Sequence, residues 1–85
     1  MMHRLSFDVK DPQGLHAQSV ARLANVLSAF DCSAKLYAKG SSCDARSIFE
    51  VLALAIPAGS RATLVLEGDD ASACADALAD VLATL

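Results

Sequence analysis

The stretch QGLHAQSVARLANVLSAF, residues 13–30, contains a lone histidine between a glycine and a run of amphipathic sequence. Its apolar residues recur every three or four positions, which is the spacing of one buried stripe on an α-helix. Just before it, Asp-Pro-Gln-Gly at residues 11–14 has the composition of a turn, because proline presets its backbone angle and glycine accepts a positive φ. The sequence therefore predicts a turn that leads into a helix over residues 16–30, with His16 at its start and a buried stripe of Val20, Leu23, Ala24, Leu27 and Phe30.

Four segments outside that stretch have the pattern of β-strands. In the first two of them apolar and polar residues alternate, and in the last apolar residues occupy every second position at Ala62, Leu64 and Leu66, which is typical of a strand with one buried face. The remaining one is short and follows a turn at Lys39-Gly40. The predicted strands are residues 4–9, 32–37, 41–44 and 62–66.

Two further helices are indicated by the residues that begin them. The tetrad from Ser47 to Glu50 matches the S-x-x-E capping box, in which each side chain accepts the backbone N–H of the other residue. Asp70 is expected to cap the last helix, whose apolar stripe is Cys74, Leu78, Val81, Leu82 and Leu85. The order β-α-β-β-α-β-α predicts an α+β fold, an open-faced β-sandwich in which helices cover one face of a four-stranded antiparallel sheet. We expect one domain over residues 1–85.

The composition restricts the classes of partner. The 85 residues are only 5% aromatic, the formal net charge is −3 and the seven basic residues are scattered, so nucleic-acid binding is not expected. No uncharged stretch is long enough to cross a bilayer and the first ten residues lack the apolar run of a signal peptide, which predicts a cytoplasmic protein without membrane insertion. The three cysteines show no CxxC spacing and are expected to be reduced thiols. We expect a monomer with no cofactor.

His16 stands where a helix exposes unpaired backbone N–H groups. The positive end of the helix dipole disfavours the imidazolium ion and keeps one ring nitrogen available as a nucleophile. If that nitrogen accepts a phosphoryl group, the N–H groups of Ala17 and Gln18 are placed to bind the dianion. A histidine at a helix start is also common without any chemical role, so position alone leaves both interpretations open. His3 has no acid, cysteine or second histidine spaced to join it, and no metal site is expected.

Two short segments, taken together with the order of elements, form a recognisable combination. The segments are Gly14-Leu15-His16 followed by a helix, and Arg46-Ser47-Ile48-Phe49. In combination they resemble the HPr phosphocarrier family of the bacterial phosphotransferase system, whose fold has the same order of elements. The resemblance implies that His16 takes a phosphoryl group on Nδ1 from enzyme I and passes it to an enzyme IIA-type component of a sugar permease.

The same resemblance assigns roles to the second segment. It implies that Ser47 corresponds to a serine that a dedicated kinase phosphorylates in some bacteria, and that Ile48 and Phe49 belong to a hydrophobic patch that docks on partner proteins. Ser47 also has a purely structural explanation, because a capping serine stabilises a helix by about 1 kcal/mol whether or not it is modified. Of the two apolar residues, one is expected to pack beneath the helix.

The residues after His16 depart from the family's pattern of a small residue, arginine and proline. This chain has Ala17-Gln18-Ser19. The missing guanidinium removes a charged hydrogen bond worth about 1.5–3 kcal/mol, which predicts phosphoryl transfer slower by roughly one to two orders of magnitude. Gln18 still donates a neutral hydrogen bond, and Arg22, one helical turn further on the same face, is expected to reach back towards the site.

Two functions are compatible with these expectations. The first is a phosphoryl carrier with a transient phosphohistidine, rather than a free-standing enzyme, in which His16 is the acceptor and Ala17, Gln18 and Arg22 bind the phosphoryl group. The alternative is an HPr-like regulatory module with weak or no phosphotransfer. It would bind an enzyme or a transcription factor through a surface formed by Gln18, Arg22, Ile48 and Phe49.

Overall fold

A computed structural model describes all 85 residues of the chain. The predicted order of elements is confirmed. The elements are β1 (Met2–Asp8), α1 (Ala17–Leu27), β2 (Ser33–Ala38), β3 (Ser41–Asp44), α2 (Ile48–Ala53), β4 (Arg61–Glu67) and α3 (Ala71–Thr84).

The four strands form one antiparallel sheet with the spatial order β1-β4-β2-β3. Leu64 of the central strand β4 lies opposite Leu5 on β1 and opposite Leu36 on β2, so these leucines form a row on the inner face of the sheet. On the outer face, Ser6 and Thr63 share a hydrogen bond of 3.1 Å between their hydroxyl groups. The two-residue periodicity of the sequence thus becomes one apolar and one polar face.

The inner face of the sheet and the helices enclose the core. The side chains of α1 and α3 that face it are buried, and the three cysteines lie in the same core without any disulfide. Burial raises the pKa of the Cys74 thiol to about 12, so this thiol stays protonated at neutral pH. None of the helices is both long and apolar enough to cross a bilayer.

Two helix ends differ from the sequence prediction. Helix α1 ends at Leu27 rather than Phe30, because the chain tightens into turns there and Arg46 Nη1 donates to three carbonyls at its end. At α3, Asp70 is the N-cap residue as predicted, but its side chain makes no capping hydrogen bond. Its Oδ2 instead accepts the N–H of Asp31 at 2.7 Å and ties the start of α3 to the loop before β2.

The turn before α1 packs closely against the loop before β4. Gly14 has a φ of +73°, and its N–H donates to the carbonyl of Asp11 at 2.8 Å, which confirms the predicted turn. The next residue, Leu15, donates its N–H to the carbonyl of Ile56 at 2.9 Å. A Cβ atom on Gly14 would overlap that carbonyl oxygen and would lie 2.9 Å from Pro57 Cα. Only glycine allows this close approach, which delivers the chain to the start of α1.

Replacement of Gly14 by alanine is expected to destabilise the fold more than the same change at Gly40. Both glycines have similar positive φ values, +73° and +77°, but nothing lies within 4 Å of a Cβ on Gly40. Gly40→Ala therefore reports the backbone strain alone, about 1 kcal/mol. Gly14→Ala adds the overlap with Ile56 and should lose about 2 kcal/mol more. Urea unfolding at constant m-value measures the two losses, and equal losses would contradict the expectation.

Candidate functional site

His16 occupies the N-cap position of α1. Its backbone is extended, with φ −118° and ψ 177°, and its carbonyl accepts the first helical hydrogen bond from Val20 N–H at 2.9 Å. The buried hydroxyl of Ser19 accepts the N–H of His16 and donates to its carbonyl, both at 3.1 Å. Sequence reasoning took Ser19 only as a replacement for proline and missed this role. The hydroxyl fixes the main chain of the residue that carries the imidazole.

Asp11 contacts the imidazole directly. Its Oδ2 lies 3.0 Å from His16 Nε2, and its Oδ1 accepts the N–H of Gln13 at 2.9 Å. The hydrogen bond from Gln13, and after it that from the histidine ring, lower the pKa of Asp11, so the carboxyl is ionised at neutral pH. The sequence shows an acid five positions before the histidine, but nothing in it distinguishes this aspartate from an ordinary turn residue.

The first turn of α1 provides backbone donors beside His16. The N–H groups of Ala17 and Gln18 precede the first residue that can bond within the helix, and neither donates to a backbone acceptor. These groups lie at the positive end of an eleven-residue helix with no acidic side chain in its first turn. The arrangement favours an anion next to the imidazole.

A cavity of about 290 Å³ opens at His16, and two of the residues predicted to bind the phosphoryl group, Gln18 and Arg22, line it. It has no apolar lining; the lining residues are Asp11, His16, Gln18, Ser19, Arg22 and Thr84. Ala17 does not line the cavity and offers only its main chain.

The guanidinium of Arg22 is directed to helix α3. Its Nη2 donates to Thr84 Oγ1 at 2.8 Å, and that hydroxyl in turn donates to the carbonyl of Val81 at 2.9 Å. Arg22 lines the same cavity as His16, but its guanidinium bonds Thr84 and does not reach back to a group at His16, contrary to the expectation from the sequence. The end of α3 thus holds the guanidinium within that cavity.

Ser47 is the N-cap of α2, as the sequence predicts, but the capping box is only half formed. Its Oγ accepts the N–H of Glu50 at 3.2 Å. The prediction that Glu50 accepts the N–H of Ser47 is wrong. Glu50 Oε1 accepts the N–H of Asp44 at 3.1 Å, and the N–H of Ser47 donates to the carbonyl of Asp44. The glutamate therefore joins α2 to the end of β3 instead of closing the cap.

The two apolar residues at the start of α2 are both exposed. Ile48 is 42% and Phe49 is 87% exposed, so the expectation that one of them packs beneath the helix is wrong. Val51, which is fully buried, fills that position because it lies on the inward face of this short helix. The two side chains together place apolar area in water at the start of α2.

Two substitutions at Ser47 measure what the cap contributes to stability. Ser47→Ala removes the acceptor for the N–H of Glu50 and should destabilise the protein by about 1 kcal/mol. Ser47→Asp keeps an acceptor and adds a negative charge at a helix start, so its stability should match that of the parent. Urea unfolding of both variants measures the difference. A Ser47→Ala variant as stable as the parent would show that the cap contributes nothing.

The comparisons with known proteins agree on the family. Residues 4–84 match the family model described as the PTS HPr component phosphorylation site. The chain is 32% identical over 81 residues to phosphocarrier protein HPr of Lysinibacillus sphaericus, which covers 95% of this chain and 92% of the relative. Identity with the HPr of Cupriavidus necator is 37% over 70 residues, which covers 82% and 79% of the two chains. The chain therefore belongs to the HPr phosphocarrier family of the phosphotransferase system.

Solved structures of the family have the same fold. Phosphocarrier protein HPr from Bacillus anthracis superposes with a TM-score of 0.83 at 30% identity, over 95% of this chain and 96% of that one. The histidine-containing phosphocarrier protein of a Mycoplasma gives a TM-score of 0.89 at 29% identity, over 93% and 90%. These likenesses confirm the predicted α+β open-faced β-sandwich.

Other relatives are much longer than this chain. The phosphoryl donor subunit DhaM of a PEP-dependent dihydroxyacetone kinase from Providencia stuartii is 39% identical over 62 residues, which are 73% of this chain but 13% of that protein. A multiphosphoryl transfer protein from Xanthomonas campestris is 31% identical over 85 residues, which are 10% of its length. The chain thus corresponds to one part of each of these two proteins.

Proposed function

We propose that this protein is a phosphocarrier in which His16 accepts a phosphoryl group from enzyme I and passes it to an enzyme IIA-type component of sugar transport. The observation that carries the proposal is the placement of the imidazole at the N-cap of α1, beside the unpaired N–H groups of Ala17 and Gln18. A dianionic phosphoryl group on the ring would meet these donors and the positive end of the helix. The proposed carrier unit is the single domain of residues 1–85.

The nitrogen that takes the phosphoryl group is Nδ1. Nε2 is already engaged by the carboxylate of Asp11 at 3.0 Å, which leaves the other ring nitrogen for the incoming phosphorus. The step is an in-line displacement, so the protein needs to position the nucleophile and stabilise the transferred anion. Gln18 and Arg22, which line the same cavity, are the side chains proposed to contact that anion.

The exposed start of α2 is proposed as the docking surface for the donor and the acceptor. Phe49 and Ile48 supply apolar area that is in water in the free protein. Arg46 anchors this segment to the last residue of α1, Leu27, and to Phe30 in the turn after it, so the surface is carried by a fixed part of the fold. The similarity to DhaM, named a phosphoryl donor subunit, supports a carrier role without restricting the acceptor to sugar permeases.

A regulatory binding module is the second candidate. It is favoured by Gln18, which stands where the family has an arginine and brings no charge to the anion, and by Phe49, which is available for binding whether or not phosphate is transferred. In this case the cavity at His16 would be part of a contact surface. A serine kinase acting on Ser47 would then regulate binding through the charge it adds beside Phe49.

Phosphorylation in the presence of phosphoenolpyruvate and enzyme I from the same organism distinguishes the two candidates. The parent protein should form an acid-labile phosphohistidine, and His16→Ala should form none. His3→Ala is the matched control and should be charged like the parent, since His3 is a half-buried residue of β1. If the parent protein acquires no phosphoryl group, the regulatory module is the better description.

Arg22 is expected to contribute to transfer once the anion is in place. Arg22→Ala removes the one cationic side chain of the cavity and should slow phosphoryl transfer about tenfold or more, as expected for a charged hydrogen bond. Thr84→Val is the control, because it removes only the resting partner of the guanidinium and should not slow transfer. Transfer by Arg22→Ala at the parental rate would exclude this role.

A further inference from the structure

Asp11 is held with its carboxylate facing the ring of His16. Its two oxygens are both used, Oδ2 at 3.0 Å from Nε2 and Oδ1 at 2.9 Å from the N–H of Gln13. The backbone of Asp11 is fixed as well, since its N–H donates to the carbonyl of Leu85 and its carbonyl accepts the N–H of Gly14. The imidazole is 27% exposed and the carboxylate 33%, so a reactant can still reach the ring.

The carboxylate decides which ring nitrogen holds the proton. An ionised carboxylate accepts hydrogen bonds and donates none, so the proton between the two groups belongs to Nε2. The lowered pKa of Asp11 keeps it in that acceptor state at neutral pH. A neutral imidazole with its proton on Nε2 carries its free lone pair on Nδ1, and that nitrogen is therefore the nucleophile.

We propose that Asp11 is a positioning residue that keeps the ring proton on Nε2 in both states of the carrier, so that Nδ1 gains and loses the phosphoryl group without any proton transfer. The inference rests on the function proposed above. In charging, the lone pair of Nδ1 forms the nitrogen–phosphorus bond, and the bond from phosphorus to the donor breaks with its electron pair left on the donor. In discharge the new bond breaks and its electron pair returns to Nδ1.

Asp11 also balances the charge that this cycle creates. A ring with a phosphoryl group on Nδ1 and a proton on Nε2 carries a formal positive charge, and the carboxylate lies 3.0 Å from it. The other charged side chain of the cavity is Arg22, which is directed to Thr84. On transfer to the acceptor, the ring departs as neutral imidazole. Without the Nε2 proton it would have to depart as imidazolate, a far poorer leaving group.

Two substitutions separate this role from a purely structural one. An asparagine at position 11 has one accepting and one donating end. With its oxygen on the N–H of Gln13, its NH₂ group faces Nε2, and both contacts are satisfied only if the ring proton moves to Nδ1. Asp11→Ala removes both contacts and leaves the ring unconstrained. We therefore expect the conservative Asp11→Asn change to be more harmful to charging than Asp11→Ala, the reverse of what a structural role predicts.

The measurement uses ¹⁵N-histidine-labelled protein and potassium phosphoramidate, a small-molecule phosphoryl donor. Nitrogen-15 NMR of the uncharged protein should show the Nε2–H form in the parent and a shift towards the Nδ1–H form in Asp11→Asn. Charging by phosphoramidate should place the phosphoryl group on Nδ1 and be about tenfold slower in Asp11→Asn, with Asp11→Ala between the two. An Asp11→Asn ring that keeps its proton on Nε2, charging at the parental rate, or a phosphoryl group on Nε2 would overturn the proposal.

The two proposals fail in different ways. Phosphoramidate needs no protein donor, so the tautomer and the charging rates report on Asp11 alone. A protein that behaves as expected here but is not charged by enzyme I contradicts only the carrier function. Should Asp11→Asn not fold, Asp11→Ala decides, because an alanine variant charged on Nδ1 at the parental rate would overturn the role of Asp11.

Discussion

The close contact between the turn at Gly14 and the loop at Ile56–Pro57 is the constraint on which the site depends. A Cβ atom at position 14 would overlap a backbone carbonyl, and that same carbonyl accepts the N–H of Leu15. The turn is therefore locked to a loop more than forty residues away in sequence, and the direction in which the chain enters α1 follows from it. His16 is the first residue after this contact that is free to present its side chain.

Three parts of the fold contribute groups to the site around His16. Helix α1 supplies its unpaired N–H groups, the turn supplies the Asp11 carboxylate, and the end of α3 supplies the hydroxyl that holds Arg22. The carboxylate engages one ring nitrogen and so orients the imidazole. When the ring carries a phosphoryl group, the carboxylate offsets the positive charge of the ring and the helix N-terminus favours the phosphoryl anion. A phosphoryl carrier needs this kind of balance, because the group must be bound well enough to form and loosely enough to be passed on.

The segment Arg46–Phe49 connects the site to the exposed start of α2, which is the surface proposed for docking. Arg46 donates to the carbonyls of Leu27, Phe30 and Cys32, and so joins the end of α1 to the start of α2. Because α2 is short, its inward face is filled by Val51, and Ile48 and Phe49 are left in water. The same geometry serves a carrier, which must dock on a donor and an acceptor, and a regulatory module, which must dock only once. What separates them is chemistry at His16, where the neutral Gln18 replaces an arginine.

The order of elements, the turn at residues 11–14, the histidine at a helix start and the serine cap of α2 could all be predicted from the sequence, since each depends on residues a few positions apart. Hydrophobic periodicity and turn chemistry are local properties. The residues that complete the site are different. Arg22 meets Thr84 across 62 positions, Arg46 ends α1 from 14 to 19 positions away, and Ile48 is exposed only because Val51 faces inward. Asp11, five positions from His16, is held by local bonds from Gln13 and Gly14 and also by a bond from its N–H to the carbonyl of Leu85, at the other end of the chain. Tertiary structure alone decided these contacts, because the direction of a polar side chain depends on which distant segments packing brings beside it.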